Sequence, residues 1–106
     1  MKENYIQIDT TFEKRDDAVK MAKLLLDAKL VADGQITEIH STFNWEGNFY
    51  DKQEWSLSCK TKEKLYQECE KFIKDNHPYK VPQIIAKVLV CASKNYLDWI
   101  DESIKR

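Results

Sequence analysis

The sequence predicts an α+β domain, an antiparallel sheet with helices packed on one face. Two patterns and one length carry that prediction. Alternating or β-branched stretches at residues 5–9, 35–45, 49–60 and 84–92 have the period of strands. Between and after them, apolar residues recur at three- and four-residue intervals, as on the buried stripe of a helix. At 106 residues the chain has the length of one hydrophobic core, so residues 1–106 are read as a single domain.

Each element has its own signal. In the first strand Ile6 and Ile8 face one side and Tyr5, Gln7 and Asp9 the other. Thr10 and Glu13 have the spacing of a capping box, so a helix of about four turns is expected from there. Its apolar side would carry Ala18, Val19, Ala22, Leu25 and Leu26, with Leu30 at its end and Gly34 as the break. In the second strand Ile39, Phe43 and Trp45 share a phase that Ile36 does not, which predicts a bulge between Ile36 and Ile39. Glu46-Gly47-Asn48 reads as a turn, and the next strand points Trp55, Leu57 and Cys59 inward and Glu54, Ser56, Ser58 and Lys60 outward. Thr61 is expected to cap a second helix with a stripe of Leu65, Cys69, Phe72 and Ile73, stopped by Pro78 and Pro82. Ser93 is expected to cap a third, with Tyr96, Leu97, Ile100 and Ile104 on one side.

The resulting order, βαββαβ plus a C-terminal helix, is that of the ferredoxin-like split βαβ fold. Hairpin strands of eleven or so residues would each span about 35 Å, against a radius of gyration of about 13 Å for a 100-residue globule. The hairpin must therefore project as an extended ribbon. Phe43, Trp45 and Phe49 would lie near its tip in water, so self-association is expected.

Composition narrows the function. With 42% hydrophobic residues and only two Gly and two Pro, the chain is not of a disordered or low-complexity class. Lys plus Arg (17) balance Asp plus Glu (18), so no nucleic-acid partner is expected. The longest near-apolar run, residues 88–92, is far short of a membrane span, and MKENYIQID carries no apolar signal region. A cytoplasmic protein with no membrane partner is the expectation. Cys59, Cys69 and Cys91 show no CxxC spacing and are read as small buried hydrophobes.

Four motifs then stand in order: Trp45-Glu46-Gly47; Glu54 followed by Lys60-Thr61; His77-Pro78-Tyr79 with Pro82; and Tyr96-Leu97-Trp99-Ile100. Together they resemble the CutA family of divalent-cation tolerance proteins, and the likeness runs from about Tyr5 to Ser103. The resemblance implies a non-enzymatic homotrimer in which hairpins of neighbouring subunits extend one another's sheets, with a role in the response to metal ions. Some members of that family carry a set associated with copper binding: a Cys ending the first strand, a His directly before the HPY motif and a Glu directly after the second proline. Here those positions read Asp9, Asn76 and Gln83, and Asp33 stands where a second family cysteine is frequent. A carboxylate and two amides replace a soft thiolate, an imidazole and a carboxylate, so the copper site is expected to be lost. The metal that remains to be expected is a weakly held divalent ion, copper or zinc, on His77 and Asp9.

The candidate residues fall into two groups. Glu54, Lys60, His77 and Tyr79 are placed in a cleft between subunits, although Glu54 and Lys60 would lie about 20 Å apart along one strand face. Phe43, Trp45, Glu46, Gly47, Phe49, Tyr96 and Trp99 are placed at the trimer interface. His77 also reads as a hydrogen-bonded turn residue and His40 as a surface histidine. No catalytic residues are assigned, because no nucleophile-base spacing is present. The alternative is a small-molecule sensor similar to PII signalling proteins, with Lys60, His77 and Glu54 as contacts. Against it, the chain's only glycines are Gly34 and Gly47, so no glycine-rich phosphate loop exists.

Overall fold

The computed structural model describes residues 3–106. Its elements run β1 (Tyr5–Phe12), α1 (Arg15–Asp27), β2 (Gln35–Trp45), β3 (Asn48–Lys62), a 3₁₀ turn (Glu63–Leu65), α2 (Tyr66–Asn76), β4 (Ile85–Val88) and α3 (Lys94–Ser103). The four strands form one antiparallel sheet in the order β2-β3-β1-β4. Ile6, Ile8 and Phe12 of β1 and Leu57 and Cys59 of β3 join one core with Ala18, Met21 and Leu25 of α1, Cys69 and Ile73 of α2 and Ile100 of α3. The helices thus close one face of the sheet, and the other face is polar where β1 and β3 pair, with Gln7, Asp9, Ser56, Ser58 and Lys60.

The start of α1 differs from the capping-box reading. Thr10, Thr11 and Phe12 continue β1 as far as the pair Phe12↔Trp55, and all three are buried. A β-branched pair and an aromatic gain more from the ladder and the core than from a helix cap. The helix begins at Arg15 with no side-chain cap, and Asp16 and Asp17 in its first turn complement its dipole. Its buried stripe is Ala18, Met21, Ala22 and Leu25, whereas Val19 and Leu26 are exposed. It ends in a Schellman arrangement: Lys29 N–H donates to Leu26 O at 3.0 Å and Leu30 N–H to Leu25 O at 3.1 Å. Lys29 therefore adopts φ 57°, a left-handed conformation usually left to glycine. Gly34 has a packing reason instead: a Cβ there would sit 2.9 Å from the Ala22 Cβ.

The hairpin contains no bulge. Its register is continuous from Gln35↔Ser58 to Trp45↔Asn48. Ile36, opposite Leu57, belongs to the core side, and Ile39, Phe43 and Trp45 belong to the opposite side, so the apolar face changes sides along β2 rather than the backbone. Glu46 (φ 49°) and Gly47 (φ 82°) make the two-residue turn with both φ positive, as a type I′ hairpin requires. Because β1 pairs with β3 only from Trp55 onward, residues 48–54 have β2 as their sole strand neighbour among the described residues, which extend to 45 × 26 × 22 Å.

Three further expectations are corrected. Thr61 is not a helix cap: it lies in β3, fully buried, and its Oγ1 donates to Leu30 O at 2.7 Å. The last strand stops at Val88 rather than Ala92, because β1, its only strand partner among the described residues, begins at Tyr5 and the last backbone bond runs from Leu89 N–H to Tyr5 O. Cys91, in the segment that follows, is exposed, so only Cys59 and Cys69 behave as buried hydrophobes. Burial pushes both of those thiols up to about 12. Ser93 does cap α3, accepting from Tyr96 N–H at 3.3 Å.

Candidate functional site

The base of the hairpin gathers three of the four cleft candidates. Pro78 ends α2 and turns the chain across the end of β1, so that His77 stacks on Phe12 with ring centroids 4.3 Å apart. His77 Nε2 lies 2.8 Å from Thr11 O, and its Nδ1 accepts from Tyr79 N–H at 3.0 Å. Both ring nitrogens are therefore used, in the neutral tautomer that donates from Nε2 and accepts at Nδ1. Burial lowers the His77 pKa below its ordinary value, against smaller raising effects from Thr11 O, Asp17 and Glu54.

Tyr79 then places its hydroxyl against Glu54 Oε2, to which it donates. Glu54 lies on the sheet face away from the core, as its strand phase predicts, but is only 5% exposed, so it is not a solvated surface residue. Tyr79 covers it from outside the sheet, a contact invisible to strand phase. Burial, and next the Glu54 carboxylate, raise the Tyr79 phenol well above its ordinary value. Lys52, not singled out by the sequence, holds its ammonium over three rings, 5.6 Å from Tyr79, 5.8 Å from Phe43 and 6.0 Å from Tyr50.

Lys60 belongs to a different cluster. Its Nζ donates to Asp33 Oδ2 at 3.2 Å and to Gln35 Oε1 at 2.7 Å, and its N–H donates to Asp33 Oδ1 at 3.0 Å. Tyr96 Oη also donates to Asp33 Oδ2, at 3.0 Å, and Tyr96 packs 5.4 Å from Trp99. This clasp ties α3 and the α1–β2 connection to the sheet. Hence Glu54, His77 and Tyr79 converge in one chain and Lys60 does not join them.

Asp9 lies on the polar face of the sheet between β3 and β4, 6% exposed. Its Oδ1 accepts from Ser58 Oγ at 2.7 Å and Gln7 Nε2 at 3.0 Å, and its Oδ2 lies 3.2 Å from Lys87 Nζ. Burial alone would raise the Asp9 pKa, but the Ser58, Gln7 and Lys87 bonds outweigh it and hold the carboxyl below its ordinary value. Asn76 Nδ2 donates to Phe72 O at 2.8 Å, and Gln83 is exposed. Among the described residues no three His, Cys, Asp or Glu side chains converge as a metal site, and no helix is long and apolar enough to cross a membrane. His40 is exposed and contacts Asp51.

The remaining candidates lie on the ribbon and on α3. Phe43 stacks on Tyr50 at 5.2 Å, Phe49 is 69% exposed, and Trp45 and Trp99 are exposed. Glu46 and Gly47 form the turn itself.

Known proteins resemble this chain in sequence and in overall structure. The divalent-cation tolerance protein CutA of Pyrococcus horikoshii is 35% identical over 101 residues, covering 95% of this chain and 99% of that protein. The protein of the same name from Archaeoglobus fulgidus is 35% identical, covering 96% of this chain and 98% of its own length. The crystal structure of CutA1 from Pyrococcus horikoshii superposes with a TM-score of 0.92 at 34% identity, over 95% of this chain and 99% of that one. The family described as CutA1 divalent ion tolerance protein matches residues 6–103, and the chain belongs to that family.

Proposed function

We propose that this chain forms a non-enzymatic homotrimer of the divalent-cation tolerance type, with a metal-related or regulatory role in which the copper set has been lost. The single observation that carries the assembly is the change of apolar face along β2. Ile36 packs on the chain's own core, whereas Ile39, Phe43 and Trp45 point to the other side of a ribbon that has no third strand beside it among the described residues. Apolar side chains aimed away from their own core, on unpaired edges, need a second surface to cover them. The sheet order β2-β3-β1-β4 supports the ferredoxin-like reading of each subunit. The relatives' name is the support for the metal-related role.

The fit of a copper ion to this chain is poor. Asp9 is committed to two neutral donors and an ammonium, His77 uses both ring nitrogens, and the amides of Asn76 and Gln83 are weak ligands. Lys60, bound by Asp33 and Gln35, is likewise not free to take a phosphate, which weighs against a PII-like sensor. Three free cysteines, Cys91 among them exposed, suit a reducing cytoplasm. The structure described as the periplasmic divalent cation tolerance protein CutA of Archaeoglobus fulgidus names the alternative compartment for that relative.

Light scattering of the purified protein with copper, with zinc and with a chelator tests the reading. A trimer of unchanged mass in all three is expected, and Phe49→Ser is expected to reduce the mass toward that of one chain. A monomer, or a trimer that separates under chelation, overturns it. A nucleotide that raises the melting temperature would favour the sensor instead.

A further inference from the structure

We infer that Lys87 is a resident cation that excludes divalent metal from the carboxylate of Asp9. The inference rests on the proposal that the copper set is lost, and it names the residue that keeps the position closed to other ions as well.

Three oxygen-bearing side chains meet at one point on the polar face of the sheet: Asp9, Ser58 opposite it on β3, and Gln7 beside it on β1. A buried carboxylate with a hydroxyl and an amide is a donor set for a hard divalent ion such as Mg²⁺ or Mn²⁺, once the amide turns its oxygen inward. The carboxylate already has a positive partner. Lys87, on β4 opposite Gln7, brings Nζ to 3.2 Å from Asp9 Oδ2, the oxygen that neither Ser58 nor Gln7 engages.

The arrangement is asymmetric. Asp9 is fixed between two ladder partners, while the Lys87 side chain is 64% exposed and makes no other ion pair among the described residues. Its ammonium reaches in from solvent and covers the side from which an ion would approach. A metal entering there must displace Lys87 or bind within a few ångströms of a like charge, and both oppose binding. A residue so exposed is also free of packing duties, so its replacement leaves the sheet intact.

The probe is Mn²⁺, followed by calorimetry and by paramagnetic broadening of backbone amide signals, in the wild type, Lys87→Met, Asp9→Asn and the double variant. Far-UV circular dichroism and solution mass check that each variant is folded. The wild type is expected to show no broadening centred on Asp9, Ser58 and Ile85. Lys87→Met should bind Mn²⁺ at least roughly tenfold more tightly, with broadening at those three residues. Adding Asp9→Asn should abolish the gain.

The inference is overturned if folded Lys87→Met binds no more tightly than the wild type, or if its gain survives Asp9→Asn. Failure of the underlying reading looks different: the wild type itself would bind Cu²⁺ stoichiometrically, and Asp9→Asn alone would remove that binding.

Discussion

At Phe12, where β1 ends, the ring is fully buried beneath His77, while at the hairpin tip Phe49 leaves 69% of its surface in water. Both are phenylalanines at strand ends. The first is held by α1, α2 and the sheet at once, and the second by a single ladder partner, Asn44. In the body β1 and β3 have a face covered by the helices, so burial and pairing act together there, whereas the short β4 is paired but exposed. In the ribbon pairing acts alone, and an isolated two-stranded ladder is marginal in water. Substitutions in the body should therefore change folding, and substitutions in the ribbon should change association.

The largest effect expected is at the junction. Phe12→Ala removes a fully buried ring and should cost about 3–5 kcal/mol in denaturant unfolding, whereas Phe49→Ser on a dissociated chain should stay within about 0.5 kcal/mol. Equal costs at the two sites would erase the distinction between body and ribbon. Next comes Gly47→Ala, which forces a side chain onto φ 82° and should cost about 1–2 kcal/mol, read as a fall in denaturation midpoint. The corresponding body position carries strain already, since Lys29 sits at φ 57° to complete the end of α1. Lys29→Gly should raise stability by about 1 kcal/mol, and a loss there would mean that the lysine stem contributes packing.

A smaller, pH-dependent effect concerns the link between body and ribbon. The His77 pKa is lowered by burial, so the unfolded chain takes up a proton first as pH falls. The contribution of His77 is complete above its ordinary value of about 6.5 and declines as pH drops through the lowered folded value. Protonation also places a hydrogen on Nδ1, which then cannot accept from Tyr79 N–H. Stability measured between pH 7.5 and pH 5 should fall in the wild type by more than in His77→Asn; parallel curves would show that the ring stays neutral throughout.

Legibility in the sequence followed the range of the force involved. The hairpin was readable to the residue at β2, and its turn was marked by Glu46-Gly47, because alternation and positive-φ preference are local properties. Four errors share a non-local cause. Thr10 and Thr61 look like helix caps, but each has a β partner, Leu57 and Ile6 respectively, that claims it for the ladder. Residues 89–92 look like strand, yet after the Leu89 N–H bond to Tyr5 O, where β1 begins, the ladder does not continue among the described residues. The apparent phase slip between Ile36 and Ile39 suggested a bulge because phase assumes that one core lies on one side throughout.

The candidate site divides in the same way. The His77-Pro78-Tyr79 turn and the Tyr96 and Trp99 face stood out as residues. That Tyr79 meets Glu54, that Lys60 is held by Asp33 and that Lys87 reaches Asp9 are contacts across 25, 27 and 78 positions of chain.

What the sequence determined alone was the list of elements, their order and the residues that would be apolar, since periodicity and turn chemistry act within a few positions of the chain. Tertiary structure decided where each element stops, which face of the ribbon is apolar and which charges meet. A strand's end depends on its neighbour's length, and a charge's partner depends on which strands lie side by side.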